Sequence, residues 1–533
     1  MGPRPETRMA MKGFMKGTSL LLAAGLIVKL LSVAYRVPFQ NMVGDRGFYA
    51  YQQIYPFIGI FTAWTAYGFS VAVSKLLADS GPAAHRSIRR IALSCLAVFA
   101  AAVFSTLFMG SGQLAEWMGD RQLAPLLQVA AFAVLPIPLL AVLKGRLQAE
   151  GQMAPVAYAQ IMEQGVRVTV ILGGTWMVLA AGYSIYTAGA AALSGTVAGG
   201  AAAVIFLFVL TKRGIKDEKK GAAVPIWPAV RKLLVLSAGF SLSALILLLY
   251  QLADSFTVFR ILADTDLSVR QAMERKGIYD RGQPLIQFGL VLASSIALSV
   301  VPLVAKAARQ TAGRSPDQFV RLAFRMAFLF AAAASAGLAL LMPYVNEMLF
   351  ETNEGSAALA VFGIQIFWAS LIFVWTAILQ GIGKIGVPSL FLLIGFGLKV
   401  SLNLFLIPEF GIMGAAVAGN AGLACSAACL YLYFKKVWPI RFAPLPFYRG
   451  AAIAVGMMTA AVTAWSILGD SYLFDGLPGR PAAAVIALSG TALGAGMFLT
   501  VVSRLRILSE REWFFIPLGR KAAQYQLWIN SKR

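Results

Sequence analysis

The chain has 533 residues, of which 59% are hydrophobic and only 13% are charged, and its formal net charge is +23. A soluble domain is about half apolar and about a quarter charged, so this composition excludes an ordinary soluble protein and indicates a polytopic membrane protein. Single segments stay apolar for about 20 residues or more without strand-like alternation, which favours transmembrane helices over a barrel.

About fourteen apolar segments follow one another along the chain, each long enough to cross the hydrocarbon core of a bilayer, which is about 30 Å thick, as a helix. They are predicted to begin near Gly17, Phe48, Ile91, Leu123, Ala154, Ile185, Leu233, Gln283, Phe319, Ser356, Val387, Met413, Gly450 and Pro481. The sequence therefore predicts an all-α polytopic membrane protein.

The order of these segments divides the chain into two groups of six helices and a final pair. The predicted parts are an N-terminal cytoplasmic segment (1–16), a first lobe of helices 1–6 (17–211), a cytoplasmic linker (212–232), a second lobe of helices 7–12 (233–434), two additional helices (435–503) and a basic cytoplasmic tail (504–533). Lys29 interrupts the first apolar segment, so we expect a retained membrane helix and not a cleaved signal peptide.

Most of the basic residues lie in alternate gaps between the apolar segments. The N-terminal stretch, the gap 212–232 and the C-terminal tail are rich in Lys and Arg, whereas most of the intervening gaps carry acids. The positive-inside rule then predicts an even number of spans, with both termini in the cytoplasm of a cell-membrane protein. Basic loops of this kind contact anionic membrane lipids, so we interpret the positive charge as a topology signal and not as a nucleic-acid-binding surface.

The gap after the seventh segment is an exception, because it is basic although it falls on the external side. It holds Arg260, Arg270, Arg275, Lys276 and Arg281. Some of these charges are explained if Arg260 and Arg281 turn into a cavity. The stretch Asp264–Lys276 is otherwise predicted to form an amphipathic helix at the surface.

Three short landmarks occur twice in the same order. Asp45-Arg46-Gly47 returns as Asp280-Arg281-Gly282, 235 positions later. The other two pairs are Leu143-Lys144-Gly145 with Leu379-Gln380-Gly381, and Gly189-Ala190-Ala191 with Gly414-Ala415-Ala416. We infer that the chain consists of two related halves, an architecture typical of membrane transporters whose substrate site lies where the repeats meet.

Several polar and ionisable residues lie inside the apolar segments, where a charge is costly unless it faces water or another charge. They fall on equivalent segments of the two halves, the first with the seventh and the fifth with the eleventh. These residues are Lys29, Ser32 and Arg36; Gln251 and Asp254; Gln160, Glu163 and Arg167; and Lys399 and Asn403. The predicted substrate-binding cations of a shared cavity are Lys29, Arg36, Arg281 and Lys399, and the other polar residues are predicted to line it.

Two structural alternatives stay open for these charges. Glu163 and Arg167 are four residues apart, so they could neutralise each other on one helix face. Arg36 and Arg281 lie near the ends of their segments, where an arginine side chain can extend, or snorkel, to the membrane surface.

The sequence predicts no cofactor, metal site or catalytic centre. Its three cysteines, Cys95, Cys425 and Cys429, lie in apolar segments and lack the spacing of a disulfide framework or a zinc site. No Gly-x-x-x-x-Gly-Lys-Ser/Thr loop for ATP occurs. A membrane glycosyltransferase would need clustered acids for a metal–nucleotide substrate, and the external acids of this chain are scattered. We therefore expect a transporter and not an enzyme.

Four stretches of the sequence are distinctive: Tyr35-Arg36-Val37-Pro38, Gly44-Asp45-Arg46-Gly47, Gly277-Ile278-Tyr279-Asp280-Arg281-Gly282 and Gly411-Ile412-Met413-Gly414-Ala415-Ala416. They resemble the MurJ- and SpoVB-like polysaccharide transporter branch of the multidrug/oligosaccharidyl-lipid/polysaccharide (MOP) exporter superfamily. The resemblance covers nearly the whole chain. It implies a MATE-like or MurJ-like fold, with two pseudo-symmetric six-helix lobes plus two C-terminal helices, that works by alternating access.

The resemblance also implies how substrate is held. Arg36 and Arg281 match family arginines on the first and eighth helices, which line a cavity for the pyrophosphate of a lipid-linked sugar. A third arginine, on the family's second helix, is missing here, and this region instead holds Tyr51, Gln52, Gln53 and Tyr55. The implied function is a flippase for a polyprenyl-pyrophosphate-linked oligosaccharide, such as a lipid II-like cell-wall precursor, acting as a monomer.

Two other functions stay open. A cation-coupled multidrug exporter of the same superfamily would rely on acidic cavity residues, for which Glu163 and Asp254 are the candidates. A non-transporting membrane scaffold is the second alternative, although the polar positions on equivalent helices argue against it.

Overall fold

The computed structural model of the protein describes residues 20–21, 23–215, 223–291, 317–384, 386–473, 479–513 and 519–531. These residues are helical apart from short turns, and no strand occurs among them. The predicted N-terminal segment 1–16 lies outside the described residues, as do residues 216–222 of the predicted linker. The predicted all-α membrane architecture is confirmed.

The chain forms two compact units, Met1–Asp280 and Arg281–Arg533. The helices of the first unit are α1 (23–34), α2 (Arg36–Ala63), α3 (Ser70–Ala78), α4 (His85–Met109), α5 (Ser111–Trp117), α6 (Ala124–Phe132), α7 (Ile137–Ala149), α8 (Met153–Ala180), α9 (Ile185–Ile215), α10 (Ile226–Ala263) and α11 (Val269–Asp280). A π-helical stretch, Trp64–Phe69, joins α2 to α3.

The described residues of the second unit also form helices. Its described helices are α12 (282–291), α13 (Asp317–Phe350), α14 (Ser356–Gly363), α15 (Gln365–Gly381), α16 (Gly386–Val437), α17 (Leu445–Leu468), α18 (Gly479–Arg504), α19 (Glu510–Trp513) and α20 (Gly519–Ser531). Most of these helices begin within a few residues of the predicted segments.

Nine helical runs among the described residues are long and apolar enough to cross a membrane. Two of these runs, Ala23–Ala78 and Gly386–Val437, contain 56 and 52 residues, more than twice what one crossing needs. Each contains a glycine with positive φ, Gly44 at 66° and Gly411 at 55°, so each run consists of two successive helices. Together with the long helices α8 and α10, the described chain is consistent with about fourteen spans.

Helices α8 and α9 approach closely because α9 presents glycines to α8. A Cβ added at Gly195 would lie 2.7 Å from the carbonyl oxygen of Arg167, and one added at Gly199 would lie 2.5 Å from that of Glu163. The two glycines are four residues apart, as in the Gly-x-x-x-Gly pattern that lets membrane helices pack backbone to backbone. The contact lies beside Glu163 and Arg167, so the packing of α9 positions this part of α8.

Helix α10 belongs to the first compact unit, although the repeat assigns its sequence to the second half. Nε2 of Gln53 on α2 donates a hydrogen bond to the backbone carbonyl of Ser255 on α10 at 3.1 Å. A Cβ added at Gly59 of α2 would lie 2.6 Å from Leu248 Cδ2. The compact units divide after Asp280, whereas the predicted lobes divide in the linker 212–232. The first division follows contacts in space, and the second follows the repeat in the sequence.

Helix α11 agrees with the predicted surface helix at Asp264–Lys276 only in part. The helix begins later, at Val269, and it packs against α2. Its exposed residues are Val269, Arg270, Gln271 and Arg275, and residues 276–280 are buried. Lys276 is 1% exposed and forms a buried ion pair, with its Nζ 2.6 Å from Oδ1 of Asp280. Arg260, in contrast, is exposed, and its Nη1 donates to the carbonyl oxygen of Trp117 at 3.5 Å.

In the second unit, α13 packs against α17 and α18. Leu329 of α13, Phe447 and Met458 of α17, and Phe498 of α18 are buried in one hydrophobic cluster. Trp513 of α19 belongs to the same cluster. The C-terminal segment, predicted as a basic tail, is therefore part of the folded unit.

Candidate functional site

Two buried arginines meet one tyrosine ring in the first unit. The guanidinium carbon of Arg36 lies 4.3 Å from the centroid of the Tyr55 ring, and that of Arg167 lies 6.0 Å from the same centroid. The hydroxyls of Tyr35 and Tyr51 are 2.8 Å apart. A cation over an aromatic face is stabilised by about 2 kcal/mol or more when water is excluded. We name these five residues the cation–tyrosine cluster.

A backbone break at Gly44 allows Arg36 to reach Tyr55. The two residues are 19 positions apart in the sequence, so a straight helix would separate them by about 28 Å. Gly44 has φ 66° and ψ −178°, a backbone conformation that is essentially restricted to glycine. The chain folds back there, and this return brings the start of α2 beside its own later turns.

Glu163 forms its ion pair with Lys144 and not with Arg167, the partner that the four-residue spacing left open. Lys144 Nζ lies 2.9 Å from Glu163 Oε2, and the two side chains are 4% and 21% exposed. Lys144 comes from α7, so the ion pair joins two helices, whereas the spacing argument considered one helix alone. Arg167 is 8% exposed and lies near Tyr55, and its Nε forms no hydrogen bond with a described residue.

Removing one partner of the Lys144–Glu163 pair should destabilise the protein more than removing both. We expect Lys144→Ala to cost about 2 kcal/mol of unfolding free energy, less than a fully buried pair because Glu163 is partly exposed. The double variant Lys144→Ala/Glu163→Ala should recover most of this loss. The melting temperature of the purified protein checks both expectations.

The matched control is Arg270→Ala, which removes an ion pair at the surface with Glu274, where the side chains are 73% and 39% exposed. Exposed pairs contribute little, so its melting temperature should stay near that of the wild type. Losses in the double variant that simply add would contradict the pairing of Lys144 with Glu163.

Both arginines of the snorkelling alternative are buried. Arg36 is 0% exposed and Arg281 is 1% exposed, so neither side chain extends to an aqueous surface and that alternative is wrong. Arg281 Nη1 donates to Asn346 Oδ1 at 3.2 Å, and its guanidinium carbon lies 5.3 Å from the Phe350 ring centroid. Arg281 thus has a polar partner on α13 within the second unit.

Lys399 and Asn403 lie one turn apart on α16 and are 1% and 0% exposed. A buried lysine in a membrane segment is costly, which makes it a functional candidate by default. Of the four predicted cations, Arg36, Arg281 and Lys399 are buried. Lys29 differs from them, because its side chain on α1 is exposed.

The predicted polar lining residues differ in their surroundings. Gln251 and Asp254 are buried on α10, and the Tyr279 hydroxyl of α11 donates to Asp254 Oδ2 at 3.0 Å. Burial and the neighbouring Asp254 carboxylate raise the pKa of Tyr279 well above its ordinary value, so the phenol keeps its proton and can donate. This contact links α10 to α11.

Gln160 and Ser32, the other two lining residues, are half-buried. Ser32 donates a hydrogen bond to the carbonyl oxygen of Val28 at 2.8 Å, one turn back on α1. This bond satisfies the Ser32 hydroxyl proton within its own helix.

Sequence reasoning missed two polar groups of the first unit. Lys144 is visible in the sequence as the charged residue of a repeat landmark, which was the signal that could have identified it. Asp120 Oδ2 accepts hydrogen bonds from Tyr186 at 2.7 Å and from Tyr49 at 3.2 Å. No sequence signal links Asp120 to tyrosines so far along the chain. Tyr55, noted in place of a family arginine, is the ring that Arg36 contacts.

The family model described as polysaccharide biosynthesis protein matches residues 14–308. Among proteins of Bacillus subtilis (strain 168), the chain is 37% identical to the uncharacterized membrane protein YabM over 517 residues, which cover 96% of both chains. It is 26% identical to stage V sporulation protein B, over 96% of this chain and 99% of that one. It is also 22% identical to the lipid II flippase MurJ, over 95% and 99% of the two chains.

The fold is that of solved transporters. The structure is similar to lipid II flippase MurJ in an inward closed conformation, with a TM-score of 0.68, 13% identity, and coverage of 91% of this chain and 98% of that chain. Identity at this level shows the fold alone. These relatives bear out the resemblance to MurJ- and SpoVB-like proteins, and the chain is a multi-pass membrane protein that belongs to the polysaccharide biosynthesis protein family.

Proposed function

We propose that the protein is a flippase that moves a polyprenyl-pyrophosphate-linked glycan precursor from the inner to the outer leaflet of the cell membrane. Family membership supports a transporter, and the relative named lipid II flippase MurJ supports a lipid-linked substrate. The observation that carries the proposal is the cation–tyrosine cluster, in which Arg36 and Arg167 approach one tyrosine ring in a buried site.

The charge of this cluster suits a pyrophosphate group. The carboxylate of Glu163 is bonded by Lys144, so Arg36 and Arg167 supply two positive charges. A guanidinium binds phosphate oxygens through two parallel N–H bonds, which gives both affinity and orientation. Buried cations are costly, and an anionic ligand would offset that cost.

The membrane potential favours transport in the proposed direction. Each negative charge that moves outward across an inside-negative membrane gains about 2.3 kcal/mol per 100 mV. We also propose that both termini are cytoplasmic and that the protein works as a monomer with two six-helix lobes. Lys29, Arg281 and Lys399 would join the cavity during the transport cycle, lined by Ser32, Gln160, Gln251, Asp254 and Asn403.

The proposal is tested with the purified full-length protein in vesicles that hold a fluorescent polyprenyl-pyrophosphate disaccharide. A membrane-impermeant quencher measures how fast the label exchanges between leaflets. We expect exchange many times faster than in protein-free vesicles, and faster for the pyrophosphate lipid than for a neutral fluorescent lipid. Exchange at the protein-free rate would overturn the flippase, and sodium-driven or proton-driven dye transport would instead establish a multidrug exporter.

A further inference from the structure

The C-terminal segment is a docked helix with two different faces. On its inner face, Gln526 of α20 accepts a hydrogen bond from the indole Nε1 of Trp513 and donates through its own Nε2 to the carbonyl of Leu508 at 3.1 Å. Asn530 donates to the carbonyl of Ser503 at 3.0 Å. These bonds tie α20 to the end of α18.

A half-buried ion pair clamps the same segment to α13. Arg325 Nη1 lies 2.6 Å from Glu512 Oε1, and Nη2 donates to the carbonyl of Ile507. The guanidinium carbon of Arg325 lies 4.9 Å from the Phe447 ring centroid on α17. The C-terminal segment therefore contacts α13 through Arg325 and α18 through the Ser503 carbonyl, and its Trp513 shares a hydrophobic cluster with Phe447 of α17.

The outer face of α20 carries a stripe of one cation and two large aromatic residues. Lys521, Tyr525 and Trp528 follow one another at intervals of four and three residues, which places them on one side of a helix, and all three are exposed. The Tyr525 and Trp528 rings stack with centroids 5.9 Å apart. Leu527 and Arg520 are exposed beside this stripe.

The depth of this stripe is fixed by a contact with a membrane helix. The Tyr525 hydroxyl lies 2.9 Å from Thr500 Oγ1, and Thr500 stands four residues, or about 6 Å, before the end of α18 at Arg504. The end of a membrane helix is the level at which Trp and Tyr concentrate, because their rings are apolar and their polar atoms face water. Arg504 and Arg506, both exposed, add positive charge beside it.

We propose that the outer face of α20 lies on the anionic headgroup surface of the bilayer. Aromatic side chains that enter the interface, with basic residues beside them, are the features by which an amphipathic helix binds a negatively charged leaflet. The inference concerns how the C-terminal segment meets the membrane. It does not depend on which substrate the protein carries.

The test places a spin label on the full-length protein at Trp528→Cys, in a background where Cys95, Cys425 and Cys429 are serine. Accessibility is measured to oxygen, which concentrates in lipid, and to a water-soluble nickel chelate. The vesicles contain either phosphatidylcholine alone or phosphatidylcholine with phosphatidylglycerol. We expect a several-fold higher oxygen-to-nickel ratio at position 528 than at Ala83→Cys, an exposed control on the short turn before α4.

Arg520→Gln and Lys521→Gln each remove one positive charge beside the label. In vesicles that contain phosphatidylglycerol, each substitution should lower the oxygen-to-nickel ratio at position 528 by up to about fivefold. In vesicles of phosphatidylcholine alone, the ratio should stay unchanged. A label at position 528 that is as open to nickel as the one at position 83 would overturn the proposal. So would a label shielded from both oxygen and nickel in either vesicle, because a protein surface would then cover the face.

Discussion

Replacing Arg36 with methionine is expected to lower the rate of pyrophosphate-lipid exchange by about 10- to 100-fold. Hydrogen bonds to a charged group contribute about 1.5–3 kcal/mol, and each 1.4 kcal/mol corresponds to about tenfold in rate. Methionine keeps the length and helix propensity of the side chain but removes the guanidinium. Arg36→Lys should retain part of the rate, because an ammonium keeps the charge but cannot make two parallel bonds to phosphate.

The matched control for this variant is Arg121→Met, since the Arg121 side chain is 79% exposed and pairs with Glu116 at the surface. Exchange should then stay at the wild-type rate. Protein amount and melting temperature are measured in parallel, because Arg36 is completely buried and its loss also removes the contact with Tyr55. A folded Arg36→Met protein with the wild-type rate would remove the cation–tyrosine cluster from the proposed mechanism.

Gly277→Ala is expected to destabilise the protein more than the same substitution at the other described glycines of the first unit. A Cβ at this position would lie 2.1 Å from the carbonyl oxygen of Asp45 and 2.7 Å from its carbonyl carbon. These are backbone atoms, which cannot rotate away as a flexible side chain does, so α11 must move off α2. We expect a loss of about 3 kcal/mol, at the upper end of the usual cost of overpacking, seen as a lower melting temperature and less monodisperse protein.

Gly165→Ala provides the matched control, because Gly165 is also helical, on α8, and a Cβ there would meet nothing within 4 Å. This change should be neutral or stabilise the protein by about 0.5–1 kcal/mol, since glycine loses more conformational freedom on folding than alanine. If the Gly277→Ala protein has the melting temperature of the wild type, α11 does not pack as closely against Asp45 as described.

The sequence predicted the membrane helices well because the signals are local. Long apolar runs identify helices that a bilayer requires to satisfy their own backbone hydrogen bonds. The predicted start at Ile185 coincides with the start of α9, and the predicted start at Ser356 coincides with that of α14. The motif resemblance around Tyr35 and Asp280 led to the correct family.

Charged contacts between helices were predicted less well, because they depend on which helix faces which. The spacing of Glu163 and Arg167 indicated a pair within α8, yet the glycines of α9 and the position of α7 present Glu163 to Lys144 instead. Lys276 was expected at the surface and is buried with Asp280. The partner of Glu163 lies on another helix, which the spacing within α8 cannot specify. Lys276 pairs four residues along its own helix, and the packing of α11 against α2 buries this pair.

By itself, the sequence determined the helical membrane class, the order of the apolar segments, the repeated landmarks and the presence of ionisable residues inside those segments, because each follows from composition or from short-range pattern. Only the tertiary structure decided that Arg36 and Arg167 approach Tyr55 and that the C-terminal segment is clamped by Arg325. These contacts join residues distant in sequence, and they require a backbone reversal at Gly44 and helix packing at Gly199. The physical reason is that hydrophobicity places a helix in the bilayer, whereas steric fit between helices sets its rotation and its neighbours.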